Sequence, residues 1–234
     1  KIKKVSKPIL AITGTNGKST VVSLLEHLFT ENGIKVAAGG NLGIPALDLI
    51  NKDIEIYILE LSSFQLDITD NPYSKAAAIL NIYPDHLDRH ITLQNYKNIK
   101  KKVFNFSELA VYNYDDISVR EMVEKDRNSL PFSQASYIKD GFSIKIIDGI
   151  RWYSGFGRKI LPVDSLNIKG PHNESNVLAA IALASSLDRE INFKSLRSFK
   201  GLPHRCELVG EKQSISFIND SKSTNVSSTI AAIN

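Results

Sequence analysis

Cysteine is nearly absent. The single Cys206 among 234 residues excludes an internal disulfide and leaves a reducing compartment open, and its expected role is that of a small buried hydrophobe. Long apolar runs are missing as well: none approaches the ~20 residues of a membrane span, and no signal-peptide pattern is present. A cytoplasmic protein with no membrane partner is expected. Nor is one sign of charge in large excess, with 29 basic and 25 acidic residues spread along the chain. Basic residues cluster only at 1–4 and 97–102; both read as solvated faces, so nucleic acid is not an expected partner. There is no internal repeat and no low-complexity tract. What remains, with 42% hydrophobic residues, is enough to bury the core of one large domain, or of one and a part.

Residues 9–20, Ile-Leu-Ala-Ile-Thr-Gly-Thr-Asn-Gly-Lys-Ser-Thr, form the most informative stretch. The apolar run 9–12 predicts a buried strand, and 19–31, with Val22, Leu25, Leu28 and Phe29 turned inward, predicts an amphipathic helix. A glycine turn between strand and helix gathers backbone N–H groups at the positive end of the helix dipole, which suits a polyphosphate. Gly14 and Gly17 enclose only Thr15 and Asn16, fewer residues than the common phosphate-loop pattern places there. In such a loop Lys18 reaches the β- and γ-phosphates, and the hydroxyl of Ser19 or Thr20 is placed to ligate Mg2+.

Further along, strands are expected at 34–38, 54–61, 76–82 and 109–112. Helices are expected at 45–50, 92–106 (capped by Thr92), 116–125, 170–187 and 193–200. Alternation of this kind implies right-handed crossovers and a mostly parallel sheet flanked by helices, an α/β fold. The pattern changes between 130 and 161, where Asp148-Gly149 marks a hairpin and an antiparallel edge or small side sheet. Gly39, Gly40 and Gly43 mark either a tight turn or a place where backbone approaches something closely. The glycine loop, Glu60 and the pair Asp85/His86 each follow a strand, so all should rise on the carboxyl edge where such sheets bind ligands. Glu60 and His86 there could ligate a divalent cation or simply be exposed. Asn173 and Asn176 lie three apart near the start of a helix; one could cap it, or the pair could read a purine.

The chain starts at Lys1, and a helix that begins at Asn225 stops in mid-pattern after a strand at 215–218. A piece of a longer protein is expected, with its boundary near 201–205.

Eight motifs in order resemble the Mur ligases of peptidoglycan synthesis. They are Gly-Thr-Asn-Gly-Lys-Ser-Thr (14–20), Gly-Gly-Asn-Leu-Gly (39–43), Glu-Leu-Ser-Ser-Phe-Gln-Leu (60–66), Pro-Asp-His-Leu-Asp-Arg-His (84–90), Tyr96-x-x-x-Lys100, Gly-x-His-Asn-x-x-Asn (170–176), Gly-Leu-Pro-His-Arg (201–205) and Asn-Asp-Ser-Lys-x-Thr-Asn (219–225). The shortened glycine loop is that family's own. The resemblance, strongest to the branch that adds D-glutamate, implies three domains. Residues 1–201 match the central ATP-binding domain and 202–234 the start of a Rossmann-like C-terminal domain, the domain that holds UDP being absent.

Carried over residue by residue, the resemblance implies that Gly14, Thr15, Asn16, Gly17, Lys18, Ser19 and Thr20 hold the ATP phosphates, with Lys18, His86 and Lys100 catalytic. Ser19 or Thr20 and Glu60 would hold one Mg2+; His86 and Lys100, the latter carbamylated to N6-carboxylysine, would organise a second. Asn173 and Asn176 would contact adenine, and Arg205 and Asp220 would meet the nucleotide from the C-terminal side. Lys222 and Thr224 would lie near the incoming amino acid, and Asn41 near the muramoyl peptide. The implied substrates are ATP, UDP-N-acetylmuramoyl-L-alanine and D-glutamate, joined by a monomer through an acyl phosphate. The alternative is a stand-alone phosphate-loop module or switch without ligation, which has no need of Glu60-to-Gln65 or of the spacing of His86 and Lys100.

Overall fold

A computed structural model describes residues 6–233 apart from Leu42. The basic cluster at residues 1–4 lies outside the described residues, as do Leu42 of the glycine-rich loop and Asn234.

Nine strands form one sheet in the order β2-β3-β1-β4-β5-β6-β7-β8-β9. The parallel part comprises β1 (Ile9–Thr13), β2 (Val36–Gly40), β3 (Ile56–Glu60), β4 (Ser74–Ile79), β5 (Ser107–Asn113) and β6 (Ser129–Ser133). β1 and β3 are buried along their whole length, which is why they read as unbroken apolar runs rather than as alternation. The chain steps from β1 to one side for β2 and β3, then returns to the other side for β4. That reversal opens a crevice at the carboxyl ends of β1 and β4.

β7 (Phe142–Ile147) joins β6 in parallel through a short pairing, and β8 (Ile150–Gly155) and β9 (Arg158–Pro162) follow it antiparallel, so that β7, β8 and β9 form an antiparallel edge on the same sheet. Of the two forms expected for 130–161, an edge or a side sheet, the edge is the one that forms. The hairpin turns at Asp148 and Gly149, as their dipeptide predicts, with φ of 54° and 74°. The small separate sheet is a hairpin of β10 (Glu207–Lys212) and β11 (Ile215–Asn219).

Helices cover both faces. α1 (Lys18–Glu31) and α6 (Pro171–Ser185) pack on one side, where Leu24, Leu25, Leu28 and Phe29 meet Leu178, Ile181 and Leu183 in the main apolar cluster. On the other side lie α2 (Ser63–Asp67), α3 (Leu87–His90) and α4 (Leu93–Asn105). There Tyr96, Ile99 and Val103 of α4 pack on Ala77 and Ile79. Thr92 caps α4 by accepting the Asn95 N–H at 3.1 Å, as its position predicts. α5 (Ile117–Arg120) and α7 (Val226–Ile233) are short.

Several boundaries differ from the sequence reading. Residues 45–50 form a turn, closed by the Asp48 N–H on the Pro45 carbonyl at 2.9 Å. Only Ala46 and Leu49 pack inward while Leu47 and Ile50 stay exposed, too short a packing face to offset the costly helix nucleus. The helix expected over 116–125 ends at Arg120, where Met122 and Val123 bond to carbonyls three residues back. Phe193–Ser198 is a 3-10 helix rather than an α-helix. β2 begins at Val36 rather than at 34, and β4 spans Ser74–Ile79 rather than 76–82.

Candidate functional site

A cavity of about 770 Å3 opens at the carboxyl ends of the parallel strands. The expected residues Thr15, Asn16, Gly17, Lys18, Ser19, Thr20, Asn41, Glu60, His86, Asn173, Asn176, Arg205, Asp220, Lys222 and Thr224 all line it. Gly14, at the start of the loop, and Lys100, beneath it, do not.

The glycine loop leaves β1 and enters α1 through Gly17, whose φ of 85° suits glycine. A Cβ there would fall 2.3 Å from Asn176 Oδ1 on α6, so the loop lies directly against that helix. Asn81, just past β4, clasps Asn16 from beside: its Oδ1 accepts the Asn16 N–H at 2.8 Å and its Nδ2 donates to the Asn16 carbonyl at 3.1 Å. Thr15 Oγ1 accepts the Tyr83 N–H at 3.0 Å and lies 3.1 Å from the Tyr96 hydroxyl. Burial pushes the Tyr96 phenol up to about 12, so it stays a neutral hydrogen-bonding group at any ordinary pH.

Lys18 curls back onto its own loop, donating to the carbonyls of Gly14 and Thr15 at 3.0 and 2.8 Å. Burial lowers its pKa and the carboxylate of Glu60 opposes that shift. Glu60 ends β3 and is only 2% exposed. Its two oxygens accept from Ser19 Oγ at 2.9 Å and Asn41 Nδ2 at 2.8 Å. Gly40 pairs with Glu60 in the sheet, and a Cβ on Gly40 would meet the Glu60 carbonyl at 2.3 Å. The close approach expected of the glycine-rich loop is therefore to Glu60 itself.

Lys100 is 1% exposed. Its amine donates upward to the Gly14 carbonyl at 2.9 Å and to Thr13 Oγ1 at 3.2 Å. Burial first, and the neighbouring charge of Lys18 second, hold its pKa well below the usual lysine range. His86 takes a left-handed conformation, φ 52°, with Asp85 Oδ1 accepting its backbone N–H at 3.0 Å. Its ring stands edge-on to Phe64, 5.0 Å between centroids.

From the C-terminal side Arg205 reaches across to donate to Ser19 Oγ at 3.2 Å. Asp220 accepts the Cys206 N–H at 3.0 Å and the Ser223 hydroxyl, while the Lys222 N–H donates to the His204 carbonyl at 3.1 Å. Cys206 departs from expectation: it is half-buried and lines the cavity instead of joining the core. Burial and then Asp220 push its thiol up to about 11. Asn173 and Asn176 come together on α6 as their spacing predicts, 3.4 Å apart.

Asn81, Tyr83, Asp115, Gln134 and Asn225 also line the cavity and were not singled out from sequence. For Asn81 and Gln134 the available signal is position alone: Gln134 directly follows a parallel strand and Asn81 comes two residues after one, as Glu60 ends one. The Ser62/Gln65 capping box of α2, which the sequence reading did not pick out, fixes the turn after Glu60.

The donor set fits a nucleotide with magnesium. No group of three or more His, Cys, Asp or Glu is gathered among the described residues, so a transition-metal centre has no ligand cage. Mg2+ needs less, because it keeps several waters and takes one or two carboxylates plus phosphate oxygens. The Ser19 hydroxyl and Glu60 carboxylate, 2.9 Å apart beside the glycine loop, are hard oxygens of that kind.

Comparison with known proteins gives this geometry its context. A profile of the Mur ligase middle domain matches residues 12–184. The chain belongs to the Mur ligase family. It is 41% identical over 231 residues to the UDP-N-acetylmuramoylalanine--D-glutamate ligase of Vibrio atlanticus, covering 98% of this chain and 52% of that protein. Among solved Mur ligases and their relatives, a pseudomurein peptide ligase type C from Methanothermus fervidus superposes with a TM-score of 0.78 at 22% identity, over 98% of this chain and 56% of the other. The MurF ligase of Thermotoga maritima, in complex with ADP, gives 0.74 at 22% identity, over 99% and 57%. The chain thus spans about half the length of the curated Mur ligases it matches. Among the described residues no helix is long and apolar enough to cross a membrane.

Proposed function

We propose that this chain is the ATP-binding part of a ligase that joins D-glutamate to UDP-N-acetylmuramoyl-L-alanine in peptidoglycan precursor synthesis. The observation that carries the reading is the Ser19–Glu60–Asn41 contact set beside the glycine loop, in a chain 41–42% identical to ligases named for that reaction. We read residues 1–201 as the central domain and 202–234 as the first part of a C-terminal domain.

In this reading the glycine-loop N–H groups and the α1 dipole hold the phosphates of ATP. Lys18 releases the Gly14 and Thr15 carbonyls and turns its amine to the β- and γ-phosphates. Ser19 and Glu60 would hold one Mg2+ and His86 would help hold a second, which would supply neutralisation of phosphate charge. Asn41, beside Glu60, faces the muramoyl peptide, and Lys222 and Thr224 face the amino acid. The substrate carboxylate attacks the γ-phosphorus, ADP leaves, and the D-glutamate amine then displaces phosphate from the acyl phosphate to form the amide. Arg205 and Asp220 approach from the C-terminal side, so docking of that segment completes the site. Carbamylation requires a sheltered amine with a lowered pKa; burial gives Lys100 both, and N6-carboxylysine at that position is part of the proposal.

The full-length protein tests it. Phosphate release from ATP in the presence of UDP-N-acetylmuramoyl-L-alanine should depend on D-glutamate and not on L-glutamate or D-alanine. Release stimulated equally by any amino acid, or by none, would leave only a nucleotide-binding module.

A further inference from the structure

The cavity has a corner that the phosphate loop does not explain. Asn113, Asp115 and Gln134 line it where β5 and β6 end, with Gln134 against Glu174 of α6. Asp115 builds this corner as an acceptor, taking the Gln134 N–H at 2.8 Å, the Ala135 N–H at 3.2 Å and the Ser133 hydroxyl at 2.5 Å. The side chain of Gln134 is set from the opposite direction. Its Nε2 donates to Glu174 Oε2 at 3.3 Å. Glu174 is itself gripped by Arg151, whose two terminal nitrogens donate to its two oxygens at 2.8 and 2.6 Å.

A carboxylate only accepts, so Gln134 has to present its NH2 group to Glu174. The group left over is its carbonyl oxygen, an acceptor that no donor among the described residues engages. The asparagines of α6 are more committed. Asn173 donates to the Lys169 carbonyl at 2.9 Å and accepts from Asn176 at 3.4 Å, and the Asn176 carbonyl lies against Gly17.

We propose that Gln134, oriented by the Arg151–Glu174 pair, is a specificity residue that accepts a hydrogen bond from the exocyclic amine of the bound base. It thereby selects a 6-aminopurine over a 6-oxopurine. This rests on reading the cavity as the ATP site. A 6-oxo group is an acceptor; facing the Gln134 carbonyl it gains no bond and leaves two desolvated oxygens opposed, which is how one oriented polar group discriminates strongly. Arg151 and Glu174 touch no base in this scheme and are positioning residues.

The test is equilibrium binding of ATP and of inosine triphosphate, which carries an oxo group in place of the 6-amino group, to the wild-type protein and to Gln134→Met and Arg151→Met. The quantity read is the ratio of the two affinities, which does not depend on the fraction of a sample that is folded. Wild type should favour ATP by about tenfold or more, the worth of a well-made hydrogen bond against an unmade one. Gln134→Met should bring the ratio close to one by weakening ATP more than inosine triphosphate. Arg151→Met should lower it part of the way. A ratio retained in Gln134→Met, even if both affinities fall together, overturns the proposal. Wild type that binds both nucleotides equally also overturns it while leaving the ATP site standing; wild type that binds neither overturns both.

Discussion

Asn16 and Asn225 exchange side-chain hydrogen bonds: the Nδ2 of each donates to the Oδ1 of the other, at 3.3 and 3.0 Å. One residue is in the glycine loop, and the other caps α7 by accepting the Ser228 N–H at 2.9 Å. Asn225 also donates to Asp85 Oδ2 at 3.3 Å. A single amide therefore ties the C-terminal segment to both the phosphate loop and the His86 loop. Asn225→Ala should weaken ATP binding about tenfold, since a net hydrogen bond is worth about 1 kcal/mol and more than one is lost. Asn225→Asp should be worse than alanine, because its carboxylate meets Asp85. Titration calorimetry with ATP separates the two, and an aspartate variant no weaker than alanine would disprove the arrangement.

Glu60→Gln keeps the shape of the side chain and removes its charge beside Ser19. The magnesium concentration needed for half-maximal phosphate release by the full-length protein should rise by about tenfold or more, the scale on which metal sites respond to such changes. An unchanged magnesium dependence would remove Glu60 from the ion's ligands.

The buried amines of Lys18 and Lys100 make a prediction about pH. Both have pKa values lowered from 10.5 in the folded protein, so the unfolded chain binds more protons and stability rises with pH until the unfolded lysines also titrate. Cys206 and Tyr96 are shifted upward from 9.0 and 10.0 and so act in the opposite sense only above those values. Urea midpoints of the nucleotide-free protein should therefore increase from neutral pH to about 9, and Lys100→Met should flatten that rise. A slope identical in the variant would mean that Lys100 is charged where it lies.

Gly17→Ala places a methyl group 2.3 Å from Asn176 Oδ1 at a φ of 85°. Left-handed backbone alone costs a non-glycine residue about 1 kcal/mol, and the clash adds to it. The urea midpoint should fall and ATP binding should be lost, the second effect exceeding what the first explains. Binding retained at wild-type affinity would show that the loop does not need its contact with α6.

Strand positions and the site-bearing edge were legible because buried parallel strands are short apolar runs and some of them end in a polar residue that faces the cavity. Glu60 after Ile-Tyr-Ile-Leu is the plainest case. The carboxyl ends of β1, β3 and β4 could thus be brought together from sequence alone. Asn81 could not be assigned its part, because its two bonds go to the backbone of Asn16, and backbone partners carry no side-chain signature. Gln134 escaped for another reason: its orientation comes from Glu174 and Arg151, each on a different element. β10 was invisible because its residues alternate on no buried face and its pairing shifts register between Leu208 and Gly210. Lys100 was legible only as part of Tyr96-x-x-x-Lys100, and its place beneath the loop follows from where α4 packs.

That last placement has a thermodynamic consequence. Tyr96 and Lys100 lie one turn apart on α4, so one face of one helix holds Thr15 and Gly14 from below while Asn81 holds Asn16 from the side. The loop's conformational entropy is given up when the protein folds, not when a nucleotide arrives. Phosphates then meet a preorganised cradle, and more of their contact energy is left to appear as affinity.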